Sequence, residues 1–396
     1  MINIENEQTL NDQQKRELLR IQALIDEDGQ TPKQKAGLFV EQALLYGDAQ
    51  QYAEALASYD KALEIKPDKH EAWNNRGIAL RNLGRVEEAL ASYDKALEIK
   101  PDKHEAWNNR GVALRNLGRV EEAIASYDKA LEIKPDFHKA LNNRGYALRN
   151  LDRVEEAITS YDKALELKPD KHETWNNRGV ALRNLGRVEE AIASYDKALE
   201  FKPDKHEAWN DRGIALRNLG RVEEAIASYD KALEIKPDLH EAWYNRGYAL
   251  DDLGRFEEEI ASYDKALKIK PDLHEAWNNR GYALVNLGRL SEAIASYDKA
   301  LEIKPYLHEA WNNRGVALGN LGRFEEEIAS YDKALEIKPY LHEAWNNRGV
   351  ALDNLGRVEE AIASCDKALE FKPDYHNAWF NRGNALGNLG RVEEAI

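Results

Sequence analysis

One cysteine and one methionine occur among 396 residues, and no apolar run is long enough to cross a bilayer. The single thiol, Cys365, excludes an internal disulfide. It stands where a repeated unit of the chain otherwise has a tyrosine, so we read it as a small buried apolar side chain. The opening residues, Met1 to Gln8, lack the basic and apolar stretches of a signal peptide, and the expected location is the cytosol. Positive charge is scarce too, with 56 lysines and arginines against 71 aspartates and glutamates, a net charge of −15. That balance excludes a general binder of nucleic acid or of an anionic membrane, since both need a net attraction to phosphate. A Gly-rich phosphate loop, a GxSxG elbow and a Cys-His pairing are all missing. The expectation is a chain with no catalytic residues, cofactor or metal of its own.

What the chain does have is a period. All ten histidines, from His70 to His376, are spaced by 34 residues. Numbering each unit from its histidine, the unit His70 to Lys103 reads HEAWNNRGIALRNLGRVEEALASYDKALEIKPDK. Full units begin at 36, where the sequence is more divergent, and at 70, 104, 138, 172, 206, 240, 274, 308 and 342, with a partial unit from 376 to 396. Ala72, Trp73, Gly77, Leu80 and Leu83 share one face of a first helix. Asp102 and Glu105 have the spacing of a capping box at the next first helix, and Gly84 is placed to end the preceding one. Val86, Ala89, Leu90, Tyr93, Ala96 and Leu97 line a second helix that Pro101 closes, with Glu87 and Glu88 in its first turn and Lys100 in its last. Joined by so few residues, the two helices form an antiparallel hairpin. The few large apolar side chains of one hairpin cannot offset the entropy of ordering it, so the units must stack as an all-α solenoid. Residues 1–35 lie outside the repeat; Leu18, Leu19, Ile21, Leu24 and Ile25 suggest a capping helix, and Thr31-Pro32 the start of the next.

Trp73, Gly77, Ala89, Tyr93, Ala96 and Pro101 resemble the signature of the tetratricopeptide repeat, and the likeness covers residues 36–396. In style the array is similar to the near-identical repeats of cyanobacterial and other bacterial proteins. The resemblance implies a right-handed superhelix with the first helix lining a concave groove, and a role in holding protein or peptide partners. Several positions depart from the pattern. Position 7 is arginine, Arg76 through Arg348 and Arg382, with a stem to pack and a guanidinium expected to reach water. Leu141 replaces one tryptophan and Asp152 one helix-stop glycine. Glu259 and Glu327 take the small-residue site of Ala89, each after a phenylalanine, and are expected to turn outward or to find a partner.

Equivalent histidines in stacked hairpins lie roughly 8–10 Å apart, too far to converge on one metal ion, so position 1 is read as a solvated histidine. The differences between units say more about function than the identities do. At position 12 Arg81, Arg115, Arg149, Arg183 and Arg217 give way to Asp251, Val285, Gly319 and Asp353; position 9 includes Tyr248 and Tyr282, and position 5 Tyr244. Positions 2, 5, 9, 12 and 13 recur on one helical face, which the resemblance turns to the groove. Simple drift of surface positions is the competing reading. Position 6 is asparagine in Asn75, Asn109, Asn143, Asn177, Asn245, Asn279, Asn313, Asn347 and Asn381, and aspartate in Asp211. An amide that donates and accepts suits the main chain of an extended peptide, and the row resembles the asparagine ladder of protein O-GlcNAc transferases. A solvated or inter-repeat amide is the other reading.

Three functions are expected. The first is a scaffold that binds an extended peptide in the groove, an acidic or phosphorylated part against the arginines near residues 70–239 and an aromatic or aliphatic part near residues 240–307. Glu71, Glu105, Glu173 and Glu207 share that face and threaten to neutralise the arginines as surface pairs. The second is the repeat arm of a longer enzyme, such as a glycosyltransferase, kinase or protease-like effector, whose catalytic part lies beyond Ile396. The third is a self-associating array. Because the sequence stops within a second helix, with no polar cap after it, a fragment that frays or self-associates near Trp379 is also expected.

Overall fold

The computed structural model of the chain describes residues 10–395. It divides into two compact units, one ending at Pro203 and the other beginning at Asp204. Both are all-α, and no strand occurs among the described residues.

In the first unit α1 (Asp12–Asp26) packs on α2 (Pro32–Asp48), which pairs with α3 (Tyr52–Ile65). Asn11 and Gln14 cap α1, and Thr31 with Gln34 caps α2, each pair bonding reciprocally as a capping box. Leu18, Ile21 and Ile25 of α1 are buried, whereas Leu19, expected on that face, is 72% exposed. One residue off the 3.6-residue period is enough to turn it to solvent. Hairpins then succeed one another at 34-residue intervals: α4 (His70–Asn82) with α5 (Val86–Ile99), α6 (His104–Asn116) with α7 (Val120–Ile133), α8 (His138–Asn150) with α9 (Val154–Leu167), and α10 (His172–Asn184) with α11 (Val188–Phe201).

The second unit repeats the plan. It runs from α12 (His206–Asn218) and α13 (Val222–Ile235) through α14 (His240–Asp251), α15 (Phe256–Ile269), α16 (His274–Asn286), α17 (Leu290–Ile303), α18 (His308–Asn320), α19 (Phe324–Ile337), α20 (His342–Asn354), α21 (Val358–Phe371) and α22 (His376–Asn388) to α23 (Val392–Ala395). Within each unit every second helix packs on the first helix of the next hairpin, and first helices also touch one another, as α4 touches α6 and α18 touches α20. Among the described residues successive second helices make no comparable contact, so the first helices lie on the inner side of each stack.

Gly77 explains how closely a hairpin shuts. A Cβ there would lie 2.6 Å from the ring of Tyr93, and the same approach recurs from Gly111 and Tyr127 to Gly315 and Tyr331. Those tyrosines are fully buried. Cys365 takes the tyrosine's place opposite Gly349, and burial pushes its thiol up to about 11. Buried and raised in this way, the thiol stays protonated at neutral pH. Gly84 ends its helix at φ +76°, and Gln50 at φ +58° and Asp152 at φ +60° take the same left-handed conformation in the two hairpins that lack this glycine.

Three local expectations need correction. Lys103, not Asp102, is the N-cap of α6, and no side-chain cap bond forms there, because the Pro-Asp-Lys turn takes up one residue more than the capping-box spacing allows. Lys100 is the C-cap of α5, whose last residue is Ile99. Leu83 caps α4 and is 39% exposed instead of joining the core.

Candidate functional site

Position 7 reveals what holds one hairpin to the next. The guanidinium of Arg76 donates from Nε to Asp60 Oδ1 at 2.6 Å in the preceding second helix and from Nη1 to Ser92 Oγ at 2.7 Å in its own. It also lies over the Trp73 ring at 5.6 Å. The guanidinium, expected to reach water, is held mainly by protein groups, with the Arg76 side chain 20% exposed. Two acceptors on neighbouring helices, both out of reach in a sequence read one helix at a time, draw it inward. The clamp recurs, for example in Arg314 with Asp298 and Ser330. Gln42 fills position 7 of the divergent first hairpin and makes an uncharged version, accepting from Ser58 Oγ and donating to Gln22 of α1. Tryptophan forms a second link: Trp73 Nε1 donates 2.8 Å to the carbonyl of Pro67 in the preceding turn, and Trp345 does the same to Pro339.

On the inner face, asparagine at position 6 meets the residue at position 5 of the hairpin before it. Asn109 donates to Asn74 at 3.0 Å, Asn143 to Asn108 at 2.9 Å, Asn177 to Asn142 at 3.3 Å, Asn245 to Asn210 at 3.1 Å, and Asn313 to Asn278 at 3.4 Å. Asn279 donates to the hydroxyl of Tyr244 at 3.3 Å. Asn75 and Asn347 instead accept from the amides of Asn74 and Asn346 beside them. All eight are half-buried.

The arginines at position 12 differ in their company. Arg115 and Arg149 lie over one ring, that of Tyr146, at 5.0 and 4.7 Å from its centroid. Arg217 is engaged: it grips Asp252 of the next hairpin with bonds of 2.7 and 3.0 Å and covers Tyr248 at 3.9 Å. Among the described residues no carboxylate pairs with Arg81, Arg115 or Arg149. Three of the four glutamates expected to neutralise the arginines contact histidines instead. Glu71 contacts His70 at 3.1 Å, Glu105 contacts His104 at 2.9 Å, and Glu207 contacts His206 at 2.9 Å. The His70 side chain is 18% exposed and so only partly solvated, whereas His376 is exposed as expected. His138, whose neighbour is Lys139, has its pKa lowered by burial and by nearby lysines. Among the described residues no three His, Cys, Asp or Glu side chains converge on a possible metal site. Arg183, also half-buried, belongs to the same row.

In the second unit the face carries aromatic rings. Tyr248 and Tyr282 are 42% and 49% exposed, and Tyr244 stacks parallel to Tyr248 at 6.4 Å. Glu259 and Glu327 neither turn outward nor find full pairing. Their exposures are 1% and 7%, and in each the Oε2 atom has no hydrogen-bond partner. Tyr331 donates to Glu327 Oε1 at 3.2 Å. Burial raises Glu259 to about 8, helped by the charge of Asp251, and raises Glu327 to about 7. The cause lies in the site itself. Position 20 is the wholly buried Ala89 elsewhere, and the longer Glu327 side chain started from there brings its carboxylate against Gly319 of the first helix.

Family models described as tetratricopeptide repeat match at residues 40–104, 142–206, 177–240 and 211–274, with further models of that description at 104–137, 274–307, 308–340, 342–375 and 364–396. No curated protein matches the chain. Among solved structures, a tetratricopeptide repeat protein from Parabacteroides merdae is similar at 19% identity, over 63% of this chain and 98% of that one, with a TM-score of 0.50. YrrB, described as a TPR protein with an unusual peptide-binding site, is 26% identical over 46% of this chain and 95% of its own, with a TM-score of 0.43. MamA is 25% identical over 41% of this chain and 94% of its own, with a TM-score of 0.39.

Proposed function

Because the chain belongs to the tetratricopeptide repeat family, whose members are repeat scaffolds for protein interaction, we propose that it binds an extended segment of a partner protein along the first-helix face. The observation that carries this reading is the row Arg81, Arg115 and Arg149. These three cations lack a carboxylate partner in a chain with net charge −15, while Glu71 and Glu105 on the same helices contact histidines. An arginine left with its fork of donors unfilled suits an acidic or phosphorylated side chain. The asparagines at position 6 each spend no more than one N–H on the preceding hairpin, which leaves further donors and acceptors for a peptide main chain. In the second unit, taken by itself, Tyr244, Tyr248 and Tyr282 offer rigid amphipathic surface for an aromatic or aliphatic segment.

The test is calorimetry of the full chain with peptides selected from a random library, each compared with versions in which acidic or phosphorylated residues are alanine. Charge reversal at Arg81, Arg115 and Arg149 together should weaken acidic peptides at least about tenfold and flatten the salt dependence of binding. Unchanged affinity and unchanged salt dependence, with the helical signal intact, would overturn the arginine assignment.

A further inference from the structure

We propose that the cavity over Glu327 is a subsite for a cationic side chain, the ammonium of a lysine or the guanidinium of an arginine, carried by a partner segment lying in the groove. The inference rests on the groove as the binding face and adds a charge preference that the arginine row does not contain.

The cavity, about 310 Å³, opens between α18 and α20 with α19 as its floor. Glu327 lines that floor, 7% exposed, and its Oε2 has no donor. A buried carboxylate oxygen without a donor is costly, and the cost is relieved by a proton or by a donor brought from outside. The opening exists because position 12 of this hairpin is Gly319. A Cβ there would lie 2.6 Å from Glu327 Oε1 and 2.7 Å from Oε2, so a larger residue would require the carboxylate to move from its present place. Four hairpins of the first unit place an arginine at this position, and α14 places Asp251 there, above the buried Glu259. Glycine and glutamate thus occur together where the cavity is open.

The walls fit the rest of such a side chain. Val316, Phe324 and Val350 provide apolar surface for the methylene stem. Asn347 and Asn354 stand at the α20 side with amide oxygens for the remaining N–H groups. No lining residue is cationic, and Tyr331 is the other titratable group among them. Burial raises Glu327 to about 7, so near neutral pH the carboxyl stands close to ionising, and an arriving cation would favour the charged form.

Two measurements on the full chain test the subsite. In the first, the carboxyl carbon of Glu327, assigned by its loss in Glu327→Gln, is titrated with pH by carbon-13 NMR, with n-butylguanidinium as probe and tetramethylammonium at equal ionic strength as control. The pKa should fall by about one unit with the probe alone; no difference between the two cations overturns the proposal. In the second, library peptides bound by the chain should favour lysine or arginine at one position, and Glu327→Gln should cost those peptides about tenfold in affinity. Peptides that bind with no such preference, or with a preference that Glu327→Gln leaves intact, refute the subsite while the groove reading stands. A response of Glu327 to butylguanidinium without capture of any peptide supports the subsite and removes the groove reading. Silence in both experiments removes both.

Discussion

Glu259 shows how a single departure from the repeat makes the chain's stability depend on pH. It sits 1% exposed at a site that is alanine in most hairpins, and its pKa of about 8 stands above the unperturbed 4.5. A carboxyl raised in this way binds its proton more tightly in the folded chain than in the unfolded one. Its contribution to stability is therefore greatest below pH 4.5 and declines as the pH rises towards 8, by at most roughly 1.4 kcal/mol per pH unit. Glu259→Ala should raise Tm by several degrees at pH 9 and by much less at pH 4.5. Thermal melts at the two pH values check this, and an equal effect at both would show that the charge is not the cost. A second residue-scale prediction concerns Gly281, where a Cβ would lie 2.6 Å from the Tyr297 ring. Gly281→Ala should destabilise the chain by about 1–3 kcal/mol in urea titration, because a close-packed ring has no room to yield. Neither outcome was legible in the sequence. The presence of Glu259 and Glu327 was plain, but their burial depends on Gly319, Asp251 and neighbouring helices, and a side chain's escape route is a property of three dimensions.

Among elements, the hairpins themselves were legible. Histidine, glycine and proline mark starts and stops, and the apolar spacing gives the buried faces, as Ala89, Leu90, Tyr93 and Ala96 confirm. Links between hairpins were not, since their partners lie far apart in sequence: Arg76 reaches Asp60 and Ser92, each sixteen residues away, and Asn109 reaches Asn74, thirty-five away. A near-identical repeat offers too many equivalent partners for sequence to choose between them. The clamp predicts coupling. In a double-mutant cycle of Arg314→Met and Asp298→Asn, measured by urea unfolding, the coupling energy should be about 1–2 kcal/mol, with the 2.6 Å bond charge-assisted and the arginine mostly shielded. A value near zero would reduce the clamp to a surface pair. The candidate groove shares this limit: the arginine row could be read directly, whereas the commitment of Arg217 to Asp252 needed the neighbouring hairpin.

At the scale of the whole molecule, stability is expected to come from interfaces more than from any single hairpin. A fragment of three or more internal hairpins should be helical and melt cooperatively, and an isolated 34-residue unit such as residues 274–307 should not. Circular dichroism of the two decides it, and a cooperative melt of the single unit as a monomer would overturn the expectation.

The tryptophan link gives the array a built-in row of light-emitting reporters. Each indole that donates to the proline carbonyl of the turn before it, as Trp107, Trp277 and Trp311 do, sits on a junction between hairpins, so its fluorescence tells whether that junction is closed. The hairpin beginning at His138 has Leu141 instead and is dark. With the other tryptophans replaced by phenylalanine, one emitter at a time, the same chain would display where along its length opening begins, and a single tryptophan restored in place of Leu141 would light the remaining gap.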